Sequence, residues 1–153
     1  MMCGAALALL LATPCRGATI LPLDGPSWTI SNANGSLSAA ATVPGSIPLS
    51  LFDAGKWPDP YLGFNQGLVN RSMSLETNWT YSTTFAFPVE AAQSEATTEL
   101  VAKQLATVAV CSINGVFIGA SVDSLLEQRW QVSSTIPHAQ LDPNIDNMLL
   151  ICR

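Results

Sequence analysis

Val43-Pro44-Gly45-Ser46-Ile47-Pro48-Leu49-Ser50-Leu51-Phe52-Asp53-Ala54-Gly55-Lys56-Trp57-Pro58-Asp59-Pro60-Tyr61-Leu62-Gly63-Phe64-Asn65 is the stretch on which the fold turns. Three glycines and four prolines punctuate it, yet it also carries many of the large apolar side chains. A disordered linker with that many breakers would be polar. Ile47, Leu49, Leu51, Phe52, Trp57, Tyr61 and Phe64 therefore call for burial, and the segment reads as ordered and largely non-repetitive. Ser46 is placed to cap a helix, Pro48 is tolerated in a first turn, and Gly55 fits the position just past a helix end. The prediction is one short helix over residues 47–54, then a loop over 57–65 pinned by its prolines.

Around this stretch the chain is strand-like. Upstream, Trp28-Thr29-Ile30 is rich in strand formers, Asn32-Ala33-Asn34-Gly35-Ser36 is a turn, and residues 37–43 suit a second strand. Downstream, residues 79–87 alternate bulky and small side chains before Pro88. Residues 100–102 and 107–113 read as strands. Asn114-Gly115 is a strong hairpin turn, Val116-Phe117-Ile118 the returning strand, and Gly119 its end. Residues 129–132 and 148–152 supply the closing strands. Many short strands between Gly, Asn and Pro turns predict an all-β sandwich or jelly roll.

The chain has 153 residues, room for one domain, and a hydrophobic fraction of 48% that is ample for a core. Formal net charge is -5 with six basic residues. That leaves no cationic footprint for nucleic acid and no polybasic patch for a membrane surface. Residues 1–17 read as a secretory signal peptide. Ala5 to Ala12 is an apolar run too short to span a bilayer, Pro14 ends it, and small residues precede Ala18. The mature domain is then 18–153. Its last strand runs into Arg153 without a polar tail, which predicts a fragment incomplete at its C-terminal end.

Asn34-Gly35-Ser36, Asn70-Arg71-Ser72 and Asn78-Trp79-Thr80 are N-glycosylation acceptors, consistent with export. Loss of the leader leaves Cys111 and Cys152. An oxidising compartment favours pairing them, whereas strand parity turns Cys111 inward and Cys152 outward. One histidine, His138, and two distant cysteines match no zinc spacing, and no cofactor is expected. Trp57, Tyr61 and Trp130 have faces that suit a sugar ring, but packing is the favoured role. Asp53, Asp59 and Asp123 show no spacing that pairs them for acid–base work, and Asp59 is suited to bond nearby backbone. Ser46, Asp53 and His138 hold the atoms of a hydrolytic triad, but no nucleophile-elbow glycines surround a serine.

Val43-Pro44-Gly45, then Leu51 and Gly55, Asp59-Pro60-Tyr61 with Gly63 and Asn65, and Asn78-Trp79-Thr80-Tyr81 with Phe85 together resemble the N-terminal domain of β-mannosidases in the glycoside hydrolase 2 group. Thr107-Val108-Ala109, Ile113-Asn114-Gly115, Ile118-Gly119, Arg129-Trp130 and Asn147 with Leu149 and Ile151 extend the resemblance over roughly residues 20–152. Pro48 stands where the family usually has His, and Gln104-Leu105-Ala106-Thr107 lacks its usual glycine and aspartate. The resemblance implies a galactose-binding-like jelly roll without catalytic residues of its own. It implies further that the chemistry sits in a downstream (β/α)8 barrel, whose two glutamates act in a retaining mechanism on mannosyl oligosaccharides, with carboxyls about 5 Å apart. On that reading Trp57, Tyr61 and Phe64 pack this domain against the barrel, and their face is exposed in a chain without it. Other readings are a stand-alone carbohydrate-binding or interaction module, or the sandwich of a related glucuronidase or galactosidase.

Overall fold

Among the described residues the chain forms β1 (Leu7–Thr13), β2 (Arg16–Pro22), β3 (Gly25–Asn32), β4 (Ser38–Val43), α1 (Ile47–Asp53), α2 (Asn65–Leu75), β5 (Trp79–Phe85), β6 (Thr97–Ala102), β7 (Ala109–Ile113), β8 (Val116–Ser121), β9 (Gln128–Gln131) and β10 (Asn147–Leu150). They are drawn from a computed structural model that describes residues 7–13, 16–75, 78–87, 97–105, 108–132, 136 and 147–150. The strands make two sheets, one ordered β2-β1-β6-β9 and the other β4-β3-β5-β10-β7-β8. Every described pairing is antiparallel. This is the all-β sandwich that the turn-punctuated sequence predicts, with two helices where one was expected.

The sheets bury their facing sides by period-2 alternation. In β3, Trp28, Ile30 and Asn32 are buried, and in β7 Ala109, Cys111 and Ile113 are, as parity predicts for these three. Leu100 and Ala102 of β6 meet them from the other sheet in one cluster that also takes in Leu51 of α1. Ile30, Leu51, Leu100 and Ile113 are almost fully enclosed, each contributing about 1.5–3 kcal/mol of transfer free energy. Trp28 closes its own polar account by donating from Nε1 to the Leu23 carbonyl at 2.7 Å.

Turn chemistry sets the register. Asn114 and Gly115 both hold positive φ, 51° and 79°, the geometry that joins β7 to β8 without splaying them. Between β3 and β4, the buried Asn32 side chain accepts from Leu37 N at 3.0 Å and donates to Ser36 Oγ at 3.0 Å. Gly119 does not end β8, which continues to Ser121. Its missing Cβ is filled by the Trp130 indole, whose atoms would lie 2.2–2.4 Å from it. A close approach, not a turn, explains this glycine.

The deciding stretch behaves as predicted only in its first half. α1 ends at Asp53, and Gly55 takes φ 67° just beyond it. Ser46 is the extended residue ahead of the helix and its carbonyl accepts Ser50 N at 3.1 Å, but its hydroxyl makes no capping bond. The loop after α1 ends where the chain enters α2 at Asn65, a helix that the sequence reading did not predict. Burial does not follow that division, since Leu49 and Phe52 of α1, expected to be buried, are 39% and 37% exposed on the outer side of the helix. Leu51 is enclosed and Ile47 and Trp57 pack on the core, whereas Tyr61 and Phe64 stand in solvent.

The described part of the apolar run read as a leader lies in strand β1, between β2 and β6.

Candidate functional site

Among the described residues, those singled out from sequence do not converge on a chemical centre. Asp59 directs its carboxylate to its own loop, Oδ1 accepting Tyr61 N at 2.8 Å, the local bond expected of it. Asp123 does the same for Leu125 N at 2.8 Å. Asp53 is exposed at the C-terminal end of α1, whereas Ser46 precedes the first turn of that helix. His138 and Cys152 lie outside the described residues. Among the described residues no group of three or more His, Cys, Asp or Glu side chains could hold a metal, and no helix is long and apolar enough to cross a membrane. Burial pushes the Cys111 thiol up to about 12, so a thiolate is not offered at neutral pH.

The aromatic residues are sorted instead by packing. Trp57 meets Trp79 edge to face, with ring centroids 6.0 Å apart and planes at 84°. That is a favoured aromatic geometry, worth about 0.5–1.5 kcal/mol beyond area burial. Trp79 is buried, and its Nε1 has no hydrogen-bond partner among the described residues. Trp130 lies over Gly119 and packs on the core. Neither Trp57 nor Trp130 has a free ring face for a sugar comparable to that of Tyr61, which is 74% exposed.

What the fold does present is a face of apolar side chains beginning in the loop before α2. Phe64 is 96% exposed, and Tyr61 and Leu62 precede it. The loop is not slack. Asp59 holds Tyr61 N through its side chain and accepts Leu62 N at 3.3 Å through its carbonyl, and Leu62 O accepts Asn65 N at 3.2 Å. Sequence reasoning found Tyr61 and Phe64 but missed that α2 prolongs the face through Leu68 and Leu75. The signal was present in the spacing 64, 68, 75, which repeats at helical intervals.

The three acceptor asparagines are all exposed. Asn34 sits at the tip of the β3–β4 turn, where its Oδ1 accepts Ser36 N at 2.9 Å. Asn70 is on α2 and Asn78 immediately precedes β5.

Comparison with known proteins gives this arrangement a family. Residues 28–151 match the family model described as the glycosyl hydrolase 2 galactose-binding domain-like domain. Beta-mannosidase of Mus musculus is 36% identical over 110 residues, which is 72% of this chain and 12% of that protein. Beta-mannosidase of Bos taurus is 33% identical over 133 residues, 84% of this chain and 15% of the relative. Among solved structures, beta-D-mannosidase from Dictyoglomus thermophilum superposes with a TM-score of 0.70 at 25% identity, over 87% of this chain and 15% of that one. The chain thus spans only a small part of the relatives it matches. Sequence and fold agree, and the chain belongs to the glycosyl hydrolase 2 galactose-binding-domain-like family.

Proposed function

We propose that this chain is the N-terminal, non-catalytic domain of a β-mannosidase. The complete protein would remove terminal β-linked mannose from oligosaccharides, using two glutamates of a downstream (β/α)8 barrel in a retaining mechanism. The observation that carries the reading is the match of 72% and 84% of this chain to two mammalian beta-mannosidases. The small share of each relative that is matched supports the assignment of the chemistry to another part of the protein. Within this domain, Tyr61 and Phe64 are the side chains offered to the barrel, while Trp57, half-buried against the core, is the third residue of that contact.

The same reading makes the protein a lysosomal or secreted glycoprotein that loses residues 1–17 and carries glycans at Asn34, Asn70 and Asn78. Their exposure supports all three as acceptors. Expression in a secretory host tests both points by intact mass before and after deglycosylation. A chain beginning at Ala18 with sugar-dependent mass is expected; a retained Met1 and an unchanged mass would remove this part of the proposal. For the activity, the 153-residue chain incubated with a chromogenic β-mannoside should show no turnover, while the full reading frame should hydrolyse it. Turnover by the short chain, or a full frame that binds mannosides without cleaving them, would overturn the reading.

A further inference from the structure

The three acceptor asparagines are all exposed, but the fold does not make them equally usable. Glycan transfer joins the anomeric carbon of a polyprenyl-diphosphate oligosaccharide to Asn Nδ2, which loses a proton as the lipid diphosphate leaves. The transferase must reach that amide together with the hydroxyl two residues on, along one bared run of backbone. Exposure of the asparagine alone is not enough.

At Asn34 the whole triplet is bare, since residues 33–36 are all exposed. The turn is held from its base by Asn32. Its N donates to Leu37 O at 2.9 Å, its carbonyl accepts Gly35 N at 3.1 Å, and its Oδ1 accepts Leu37 N at 3.0 Å. Asn34 Oδ1 accepts Ser36 N at 2.9 Å, which engages the oxygen of the amide and not its nitrogen. Ser36 Oγ accepts from Asn32 Nδ2 at 3.0 Å and keeps its own proton to donate.

The other two triplets lie in regular structure. On α2, residues two apart point about 200° apart around the axis, so the Asn70 amide and the Ser72 hydroxyl face different ways. Asn70 is exposed, Ser72 is half-buried, and Asn70 O is held by Ser74 Oγ at 2.8 Å. Asn78 stands just before β5, where Trp79 is buried against Trp57 and opposite Asn32 in register. Thr80 is paired with Ser31 in the same ladder. Baring residues 78–80 requires β5 to leave β3 and Trp79 to leave the core.

We infer that Asn34 remains an acceptor in the folded domain, whereas Asn70 and Asn78 accept glycan only before α2 and β5 form. The inference rests on the export proposed above and deepens it by setting the order of modification. Occupancy of Asn70 and Asn78 then records a race between transfer and folding, and Asn34 stays open to a transferase acting after synthesis.

The test uses the 153-residue chain made without glycans in a bacterial cytosol and shown to melt cooperatively. It is incubated with purified oligosaccharyltransferase and a polyprenyl-diphosphate oligosaccharide, beside peptides of residues 29–39, 65–75 and 75–83, and sites are mapped by mass. Asn34 should react about as fast in the folded chain as in its peptide, and Asn70 and Asn78 at least roughly tenfold more slowly than in theirs. Leu68→Pro, which interrupts α2 at an exposed position, should bring Asn70 toward its peptide rate and leave Asn34 unchanged. A blocked Asn34, folded-chain rates at Asn70 or Asn78 equal to the peptides, or an Asn70 still slow in Leu68→Pro would overturn the inference. So would a peptide of residues 75–83 that is itself inert, because Trp79 and not the fold would then be the obstacle. A secretory host that returns no glycan removes the proposed export and leaves this contrast standing; a glycosylated secreted protein with Asn34 blocked in the folded chain does the reverse.

Discussion

At Gly119 a single hydrogen in place of a methyl group lets an edge strand and a neighbouring sheet come together. The Trp130 indole occupies the space above it, with Nε1, Cδ1 and Cε2 all within 2.4 Å of where a Cβ would be. Those atoms belong to the near side of a rigid ring that itself packs on the core, so they cannot swing aside as the end of a lysine would. Gly119→Ala should therefore destabilise the domain by about 1–3 kcal/mol, the range for overpacking. The check is chemical denaturation combined with a double-mutant cycle. In the background Trp130→Ala the same substitution should cost much less, and additive losses would show that the clash is not the cause. Nothing local to the residue reveals this: a glycine following Val116-Phe117-Ile118 looks like punctuation until its neighbour across the fold is known. Asn114-Gly115 was legible for the opposite reason, since the backbone conformation a tight hairpin needs is encoded by those two residues alone.

Helices show where local signals run out. α1 was legible because its limits are marked by backbone-competent residues, Pro48 near the start and Gly55 at φ 67° past the end. α2 has neither an acidic first turn nor a basic last turn, and it is rich in Asn, Ser and Gly, which are weak helix formers. Its leucines are split from its buried valine onto a separate flank, so the usual single apolar stripe is blurred. Tertiary packing of Val69 and its neighbours decides the conformation, and that could not be read from the segment itself. Two glycines follow from this with opposite signs. A Cβ added at Gly67 meets nothing within 4 Å and the position is helical, so Gly67→Ala should stabilise by about 0.5–1 kcal/mol. Gly55 has the same open space but positive φ, so Gly55→Ala should destabilise by about 1 kcal/mol. Thermal melts of the two variants should move in opposite directions, and a fall for Gly67→Ala would mean α2 is not helical in solution.

On the scale of the molecule, the six-stranded sheet is assembled from distant parts of the chain. β10 is inserted between β5 and β7, pairing Leu149 with Thr83 on one side and with Ile113 on the other. Without it, the block β4-β3-β5 and the hairpin β7-β8 have no ladder to join them. The class of fold was legible, because alternation and turns are local, and the resemblance carried the jelly roll; the central place of the last strand was not, because pairing order is a non-local property. Folding carries the same asymmetry, as the sheet cannot close until a late segment arrives across a long sequence separation. Deletion of residues 147–153 should hence cost far more than a terminal trim usually does. Far-UV circular dichroism should keep much of its strand signal while near-UV signal and the cooperative melt are lost and a hydrophobic dye binds, the marks of collapse without fixed packing. A synthetic peptide of residues 145–153 added to the shortened chain should restore the cooperative transition by re-pairing with β5 and β7. A shortened chain that melts cooperatively near the temperature of the intact one would show that the two halves of the sheet hold together through the core alone.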